Sequence, residues 1–88
     1  MTRPYAVIIL PRARKSIERL DRGMRARIQA ALELLSEHPR PPRSTPLVGE
    51  TDVYRVRVGD HRILYRVQEE IRIVEIRKVA HRREAYRS

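Results

Sequence analysis

The sequence VYRVRVGDHRILYRV, residues 53–67, is the most informative part of the chain, because two alternating runs meet there at a two-residue turn that begins with Gly59. This pattern is a strong signal for a β-hairpin. Counting outward from the turn predicts that Arg57 lies directly opposite Arg62. Because successive side chains of a strand point to opposite faces, the same register sorts the hairpin into an apolar face and a basic face.

The two faces of the predicted hairpin differ in chemistry. The apolar face, which we expect to be core, consists of Tyr54, Val56, Val58, Ile63, Tyr65 and Val67. The opposite face, which we expect to point away from the helices, consists of Arg55, Arg57, Arg62, Leu64 and Arg66. The hairpin therefore predicts a sheet with one buried side and one arginine-rich side.

The chain before the hairpin predicts one strand and two helices. Residues 5–10 are apolar, rich in β-branched side chains and followed by a proline, as in a buried strand. Apolar and small residues recur at helical spacing from Ala13, which predicts a short amphipathic helix ending near Gly23. A second helical repeat covers residues 24–37, so the two helices form a helical hairpin.

Prolines dominate residues 38–46, HPRPPRSTP, and exclude a helix there because proline lacks the amide hydrogen. We expect an extended connector rather than a domain boundary, and favour this over a ligand for a proline-binding module. After the hairpin, a turn at residues 68–70 leads to a third strand at 71–76, which residues 77–79 could extend. Residues 80–88 are too polar for a core and predict a turn or a short helix.

Together these elements predict an α+β fold in a single domain covering residues 1–88. An N-terminal strand and a helical hairpin precede a three-stranded antiparallel meander, with all strands in one small sheet and a short segment at the C-terminus. The only apolar run near the N-terminus is five residues long, too short for a signal peptide or a membrane span. With no cysteine in the chain, we expect a cytoplasmic protein that makes no membrane contact.

The charge of the chain points to an anionic partner. Basic residues number 20 against 11 acidic ones, the formal net charge is +9, and all the basic residues except Lys15 and Lys78 are arginine. Guanidinium groups bind phosphate with a planar, two-pronged geometry, which favours nucleic acid as the partner. A genome rich in G and C would also favour arginine over lysine, but it does not account for the net charge.

Several kinds of chemistry find no support in the sequence. The three histidines are scattered and have no cysteine partner, so we expect no metal site. Three glycines form no phosphate-binding loop, and we expect no cofactor. The chain has no Phe and no Trp, so it lacks the aromatic platform that single-strand binders use for base stacking.

The arginine-rich face is the main candidate for a functional site. Arg57 and Arg62 face each other with Arg55 and Arg66 nearby, and no acidic residue is interleaved. Binding a phosphate backbone would require such a cluster, and we favour this interpretation over a solvated outer face kept soluble by arginine. RNA cleavage would also need groups that exchange a proton. His81 and Tyr86, near the C-terminus, are the candidates.

Three motifs together resemble the RelE/ParE toxin superfamily. They are LVG at residues 47–49, YRVRVGDHRILYRV at 54–67 and HRREAYR at 81–87. The order of strand, helical hairpin and meander agrees with that family over almost the whole chain. The resemblance implies a compact toxin that is bound and neutralised by an acidic antitoxin encoded beside it, similar to RelB. RelE-like members inhibit translation by cleaving messenger RNA in the ribosomal decoding site.

The family's functional residues carry over onto matching positions of this chain. Its basic strand positions fall on Arg55 and Arg57, its phosphate-binding arginine on Arg62, its late arginine on Arg82 and its terminal tyrosine on Tyr86. The best-known RelE pattern has lysines at the first two of these positions. Because a guanidinium loses a proton less readily than an amine, the identity of the general base is open.

His81 stands beside Arg82 and is our candidate to replace the missing lysines as the base, whereas Arg55, Arg66 and Arg83 are expected to bind RNA. The resemblance thus implies an endoribonuclease that needs no metal. A toxin similar to ParE, which poisons DNA gyrase without cutting RNA, is the main alternative. A nucleic-acid-binding module without catalytic activity is the third.

Overall fold

The computed structural model describes residues 3–85, which form five strands and three helices. In chain order the elements are β1 (Ala6–Ile9), α1 (Pro11–Glu18), α2 (Arg22–Glu37), β2 (Thr45–Pro46), β3 (Val53–Val58), β4 (His61–Gln68), β5 (Ile73–His81) and α3 (Arg82–Ala85). The strands make one sheet in the order β1-β5-β4-β3-β2, where β1 is parallel to β5 and the other pairs are antiparallel. The predicted α+β fold is confirmed.

The β3–β4 hairpin has the register that the turn predicts. Arg57 pairs with Arg62, and Val58 pairs with His61. Gly59 has φ +59°, a left-handed conformation that glycine adopts without strain. The arginines of the two strands therefore share one face of the sheet.

An irregularity between β4 and β5 extends the apolar face along β5. Leu64 pairs with Lys78 and Tyr65 pairs with Ile76, so Arg77 is an extra residue on the β5 side. Strand side chains alternate between faces, so Val79 and Ile76 would point in opposite directions in a regular strand. With the extra residue between them, both lie in the core.

The core lies between the apolar sheet face and the two longer helices. It contains Tyr5, Ala13, Ile28, Leu32, Leu35, Val56, Ile63, Tyr65, Val67, Val74, Ile76 and Val79. Tyr54 and Val58 pack against it while partly buried, which confirms all six predicted core positions of the hairpin. No helix within residues 3–85 is long and apolar enough to cross a membrane.

The boundary between the two helices differs from the sequence prediction. α1 ends at Glu18, and Gly23 lies inside α2. The reason is a capping residue, because the Asp21 side chain accepts a hydrogen bond of 2.8 Å from the Met24 amide and starts α2 at Arg22. The prediction that the first helix ends near Gly23 is therefore wrong.

The turn before β5 and the end of the connector also differ from the prediction. Arg72 adopts φ +52° and donates its amide hydrogen to the Glu69 carbonyl at 3.2 Å, so β5 begins at Ile73 instead of Ile71. The extension over residues 77–79 is confirmed and continues to His81. Thr45 and Pro46, expected to be connector, pair with β3 as the short strand β2.

A hydrogen-bonded cluster fastens the start of the connector to the sheet. The buried Tyr65 hydroxyl donates to the Pro39 carbonyl at 2.7 Å. Arg40 donates to the Tyr54 hydroxyl at 3.0 Å and forms an ion pair of 2.9 Å with Glu69. The first of these bonds lies in a buried environment, where an unmade hydrogen bond is costly.

We expect Tyr65→Phe to lower the free energy of unfolding by about 1 to 3 kcal/mol, because it leaves the buried Pro39 carbonyl without its donor. Urea denaturation monitored by circular dichroism measures the change. Tyr54→Phe is the matched control, since its hydroxyl bonds to an exposed arginine and water can replace it. Equal losses for the two variants would contradict this account.

Glu69 predicts a pH dependence of stability. Two hydrogen bonds, the more important from Tyr5 and the other from Arg40, lower the pKa of this carboxyl below its ordinary value of 4.5. A lowered pKa in the folded state stabilises the fold above pH 4.5, and this contribution is lost as the pH falls through the folded-state pKa.

We therefore expect Glu69→Gln to destabilise the protein at pH 7 and to match the unsubstituted protein once the carboxyl is protonated. Urea midpoints at pH 7 and at a series of lower pH values measure this difference and its loss. Glu70→Gln, at the exposed neighbouring position, serves as the control. A Glu69→Gln difference that stays constant across this range would argue against the assigned role.

Candidate functional site

The side of the sheet opposite the core holds the arginines of the hairpin. Arg57 is exposed and Arg55 is half-buried, as expected for a face turned away from the helices. Arg62 differs, because it is only 7 % exposed. It lies on β4 between Arg57 of β3 and Ala80 of β5, so neighbouring strands enclose it on both sides. A solvated outer face, the alternative interpretation of these arginines, therefore does not describe this position.

These arginines surround a cavity of about 530 Å³, which we call the arginine cavity. It is lined by Arg43, Thr45, Arg55, Arg57, Gly59 and Arg62. The connector takes part because Thr45 of β2 pairs with Arg55 of β3. The end of the connector, which is distant in sequence from the turn, thus completes one wall.

A second and smaller cavity, of about 70 Å³, lies beside the turn and is called the turn cavity. It is lined by Arg57, Gly59, Asp60, Arg62 and Arg82. The Arg82 amide donates to the Asp60 carbonyl at 2.7 Å, which holds the start of α3 against the turn. The structure thereby brings Arg82, from the C-terminal motif, to the two arginines that pair across the hairpin.

The electrostatics of the two cavities favour an anion. Five arginines line them, and Asp60 is the one carboxylate among the described lining residues. Like charges directly opposite each other, as at Arg57 and Arg62, cost up to about 1 kcal/mol relative to neutral pairs. An anion between them relieves this repulsion. Guanidinium groups converging on a partly enclosed space suit a phosphate group in particular.

His81 lies on the other side of the sheet. It pairs with His61, whereas its neighbour Ala80 pairs with Arg62 on the arginine side. The two imidazole rings meet edge to face with their centroids 5.4 Å apart. The His81 Nδ1 atom accepts a hydrogen bond of 3.3 Å from the Arg83 amide. The structure therefore does not bring His81 to the arginines, because strand alternation turns its side chain away.

The remaining candidates stand apart from the two cavities or beyond the described residues. Arg66 pairs with Glu75 near the opposite end of the hairpin and lines a different cavity, together with Asp52 and Glu69. Arg83 is exposed on α3 and lines neither cavity. Tyr86 lies outside the described residues.

The sequence prediction missed four residues of this region. Arg43 and Thr45 line the arginine cavity and Asp60 lines the turn cavity. Lys78 pairs with Leu64, which pairs in turn with Arg55, so the register places Lys78 on the arginine side of the sheet. The turn itself could have indicated Asp60. Lys78 depends on the irregularity in β5, for which the sequence offers no clear signal.

Gly59 also allows a close approach from the helices. A Cβ atom at this position would lie 2.9 Å from an Nη atom of Arg27 and 3.1 Å from the Met24 Cε atom. Arg27 of α2 therefore lies against the turn that lines both cavities. Arg27 approaches the turn from the helix side of the sheet and lines neither cavity.

Comparison with known proteins assigns the family. A family model described as the ParE toxin of the type II toxin–antitoxin system parDE matches residues 7–86. A protein of Methanocaldococcus jannaschii named "Putative toxin RelE1" is 32 % identical over 87 residues, which cover 96 % of this chain and 97 % of that protein. The chain belongs to the RelE/ParE superfamily of toxins.

Solved structures agree with this assignment. The chain is similar to a protein in the RelBE2 toxin–antitoxin complex of Mycobacterium tuberculosis, with 29 % identity, a TM-score of 0.80 and coverage of 92 % of this chain and 94 % of that one. It is also similar to a protein in the intact RelBE toxin–antitoxin complex of E. coli, with 25 % identity and a TM-score of 0.78. That match covers 88 % of this chain and 95 % of the other.

We expect Arg57→Ala to weaken binding of a short single-stranded RNA, because this side chain lines both cavities. Each phosphate contact that is lost should reduce the slope of log affinity against log salt concentration by about 0.7. Fluorescence anisotropy titrations at salt concentrations between about 50 and 200 mM, a range in which phosphate contacts strongly affect affinity, measure the affinity for RNA and the slope.

Arg14→Ala is the matched control, because it removes the same charge from an exposed position on α1. The control should keep the affinity and the slope of the unsubstituted protein. If both variants lose affinity equally, only the net charge matters, and the cavities are not the binding site.

Proposed function

We propose that this toxin is a ribosome-dependent endoribonuclease that cleaves messenger RNA in the decoding site and so inhibits translation. The observation that supports this proposal is the convergence of Arg57, Arg62 and Arg82 on one cavity. The family resemblance implies functional arginines at these three positions. Two of these arginines come from the hairpin and one from the start of α3.

The three arginines fit the central requirement of RNA cleavage. When the 2′-oxygen attacks the adjacent phosphorus, negative charge builds on the phosphate oxygens while the bond to the 5′-oxygen breaks. Preorganised guanidinium groups stabilise that charge. They supply positive charge without a metal, and within residues 3–85 no cluster of three His, Cys, Asp or Glu side chains could hold one.

The proton acceptor must come from another residue, since arginine is protonated at neutral pH. His81 faces the other side of the sheet and is a poor candidate in this geometry. Asp60 lines the turn cavity, and Lys78 shares the arginine side of the sheet. We propose that one of these two groups, or Tyr86, accepts the proton from the 2′-hydroxyl and that another protonates the leaving 5′-oxygen.

We further propose that an acidic antitoxin, encoded beside this protein, binds and silences it. The similar proteins from M. tuberculosis and E. coli were solved in toxin–antitoxin complexes. A net charge of +9 attracts a partner of opposite charge and speeds its association. An unbound antitoxin segment that folds on this surface would fit the usual behaviour of flexible, charged chains.

Inhibition of DNA gyrase without RNA cleavage is the second candidate function. The matching family model is that of ParE toxins, which supports this alternative. The arginines at positions 55 and 57, where RelE-like toxins have lysines, point the same way because they weaken the case for a catalytic base.

Incubating the purified toxin with programmed ribosomes and mapping the ends of the message separates the candidates. We expect cuts within the message that appear only when ribosomes are present. Arg57→Ala and Arg82→Ala should each slow cutting by roughly 10²- to 10³-fold, the usual cost of removing one group that stabilises charge in the transition state.

Arg14→Ala should cut at the unsubstituted rate, since its side chain lies on α1 outside both cavities. Intact message together with inhibited gyrase supercoiling would support the ParE-like function instead. Intact message with active gyrase would leave a module that only binds nucleic acid.

A further inference from the structure

We propose that the arginine cavity binds the nucleotide next to the phosphate at which the message is cut, and that Arg43 of the connector binds the outer phosphate of that nucleotide. The phosphate at which the strand is cut is called the reacting phosphate. This inference rests on the proposed function, because it takes the ligand of the site to be single-stranded RNA. The family resemblance implies roles for arginines of the hairpin and of the C-terminal motif, and it implies none for Arg43.

The two cavities differ in the size of the group that they can hold. The turn cavity, of about 70 Å³, has room for a group as large as about two water molecules, since one water occupies about 30 Å³ in the liquid. A phosphate group is of this order. The arginine cavity, of about 530 Å³, lies in the range of clefts that hold larger organic ligands. We therefore assign the reacting phosphate to the turn cavity, and a nucleoside with a second phosphate to the arginine cavity.

The two cavities are neighbours, because Arg57, Gly59 and Arg62 line both of them. Of the two cavities, Arg82 lines only the turn cavity and Arg43 lines only the arginine cavity, so these two arginines mark the ends of the region. Each nucleoside of an RNA strand lies between two phosphates. A strand with its reacting phosphate in the turn cavity can therefore continue into the arginine cavity and bring its next phosphate to Arg43.

Hydrogen bonds hold the backbone of Arg43 in place. Ser44 donates its amide hydrogen, at 2.9 Å, and its hydroxyl hydrogen, at 2.7 Å, to the Pro41 carbonyl. These bonds close a four-residue turn with Pro42 and Arg43 at its centre, where proline restricts the backbone further. The turn is formed before any ligand binds, which lowers the entropic cost of binding a phosphate there.

The charge of Arg43 is not used by the fold. Its side chain is exposed, and within residues 3–85 the salt bridges are made by Arg40 and Arg77 and not by Arg43. Arg40, three residues earlier in the connector, forms an ion pair with Glu69 and a hydrogen bond with Tyr54. The connector thus has one arginine that fastens it to the sheet and a second whose guanidinium group is available to an anion. Charge-assisted hydrogen bonds of this kind are among the stronger polar contacts.

Small phosphate compounds test the two positions without any cleavage. Uridine 5′-monophosphate carries one phosphate, and uridine 3′,5′-bisphosphate carries two with one nucleoside between them. Each compound competes with a fluorescein-labelled single-stranded RNA for the purified toxin in the absence of ribosomes. We expect the bisphosphate to bind about tenfold more tightly or better, because it adds one charge-assisted contact. Equal binding of the two compounds would overturn the proposal.

Substitutions at Arg43 identify the residue that provides this gain. Arg43→Ala should remove it, so that the two compounds compete about equally, whereas Arg43→Lys should keep part of it because an ammonium also binds phosphate. Arg14→Ala, the matched control, removes the same charge from exposed α1 and should keep the whole gain. A gain that persists in Arg43→Ala, or that Arg14→Ala loses equally, would overturn the assignment. Circular dichroism checks folding, and Arg43→Gln provides the same test if Arg43→Ala does not fold.

Cleavage on programmed ribosomes with toxin in excess tests the same residue during the reaction. Arg43→Ala should raise the toxin concentration that gives half-maximal cutting by about tenfold, the effect of one lost charge-assisted contact. It should lower the maximal rate less than Arg82→Ala does, because Arg82 lines the cavity assigned to the reacting phosphate. An equal loss of maximal rate at an unchanged half-maximal concentration would place Arg43 at the reacting phosphate and overturn the proposal. Failure of the proposed nuclease would appear separately, as message that stays intact with the unsubstituted toxin, while the competition experiment still tests the nucleotide site.

Discussion

The site depends on the register of one hairpin. The turn at Gly59 pairs Arg57 with Arg62, and this pairing sets like charges against each other. Such an arrangement works against folding, so the rest of the structure must compensate for it. The apolar side of the same two strands provides this compensation, because Val56, Ile63 and Tyr65 are buried against the helices. A shift by one residue would move the apolar side chains into water, which protects the register and with it the site.

The sequence was most informative where its pattern is local. Alternation and the turn identified the hairpin, its core face and the pairing of its arginines, and the C-terminal motif pointed to Arg82. The boundary between the helices was missed because the Asp21 cap outweighs the helix-breaking tendency of Gly23. The start of β5 was missed because it depends on the left-handed conformation of Arg72, an unusual residue for that region.

The site is formed by contacts between distant parts of the chain. Sequence patterns within one segment do not reveal such contacts. His81 directly precedes Arg82 in the sequence, yet strand alternation turns it to the opposite side of the sheet. The extra residue in β5 changes which side chains share a face, so Lys78 could not be assigned without the pairing. Arg43 and Thr45 reach the cavity only because β2 adds to the edge of β3.

The anchored connector has a consequence for how this protein tolerates change. Near its start, Pro39 and Arg40 are bonded to tyrosines of the sheet, while Arg43 and Thr45 farther along line the arginine cavity. The prolines between these two parts of the connector have a restricted backbone, so the position of the first part constrains the position of the second. Substitutions around Tyr65, which lines neither cavity, can therefore shift the spacing of the guanidinium groups. Residues with a purely architectural role in the sheet thus also affect the activity of the toxin.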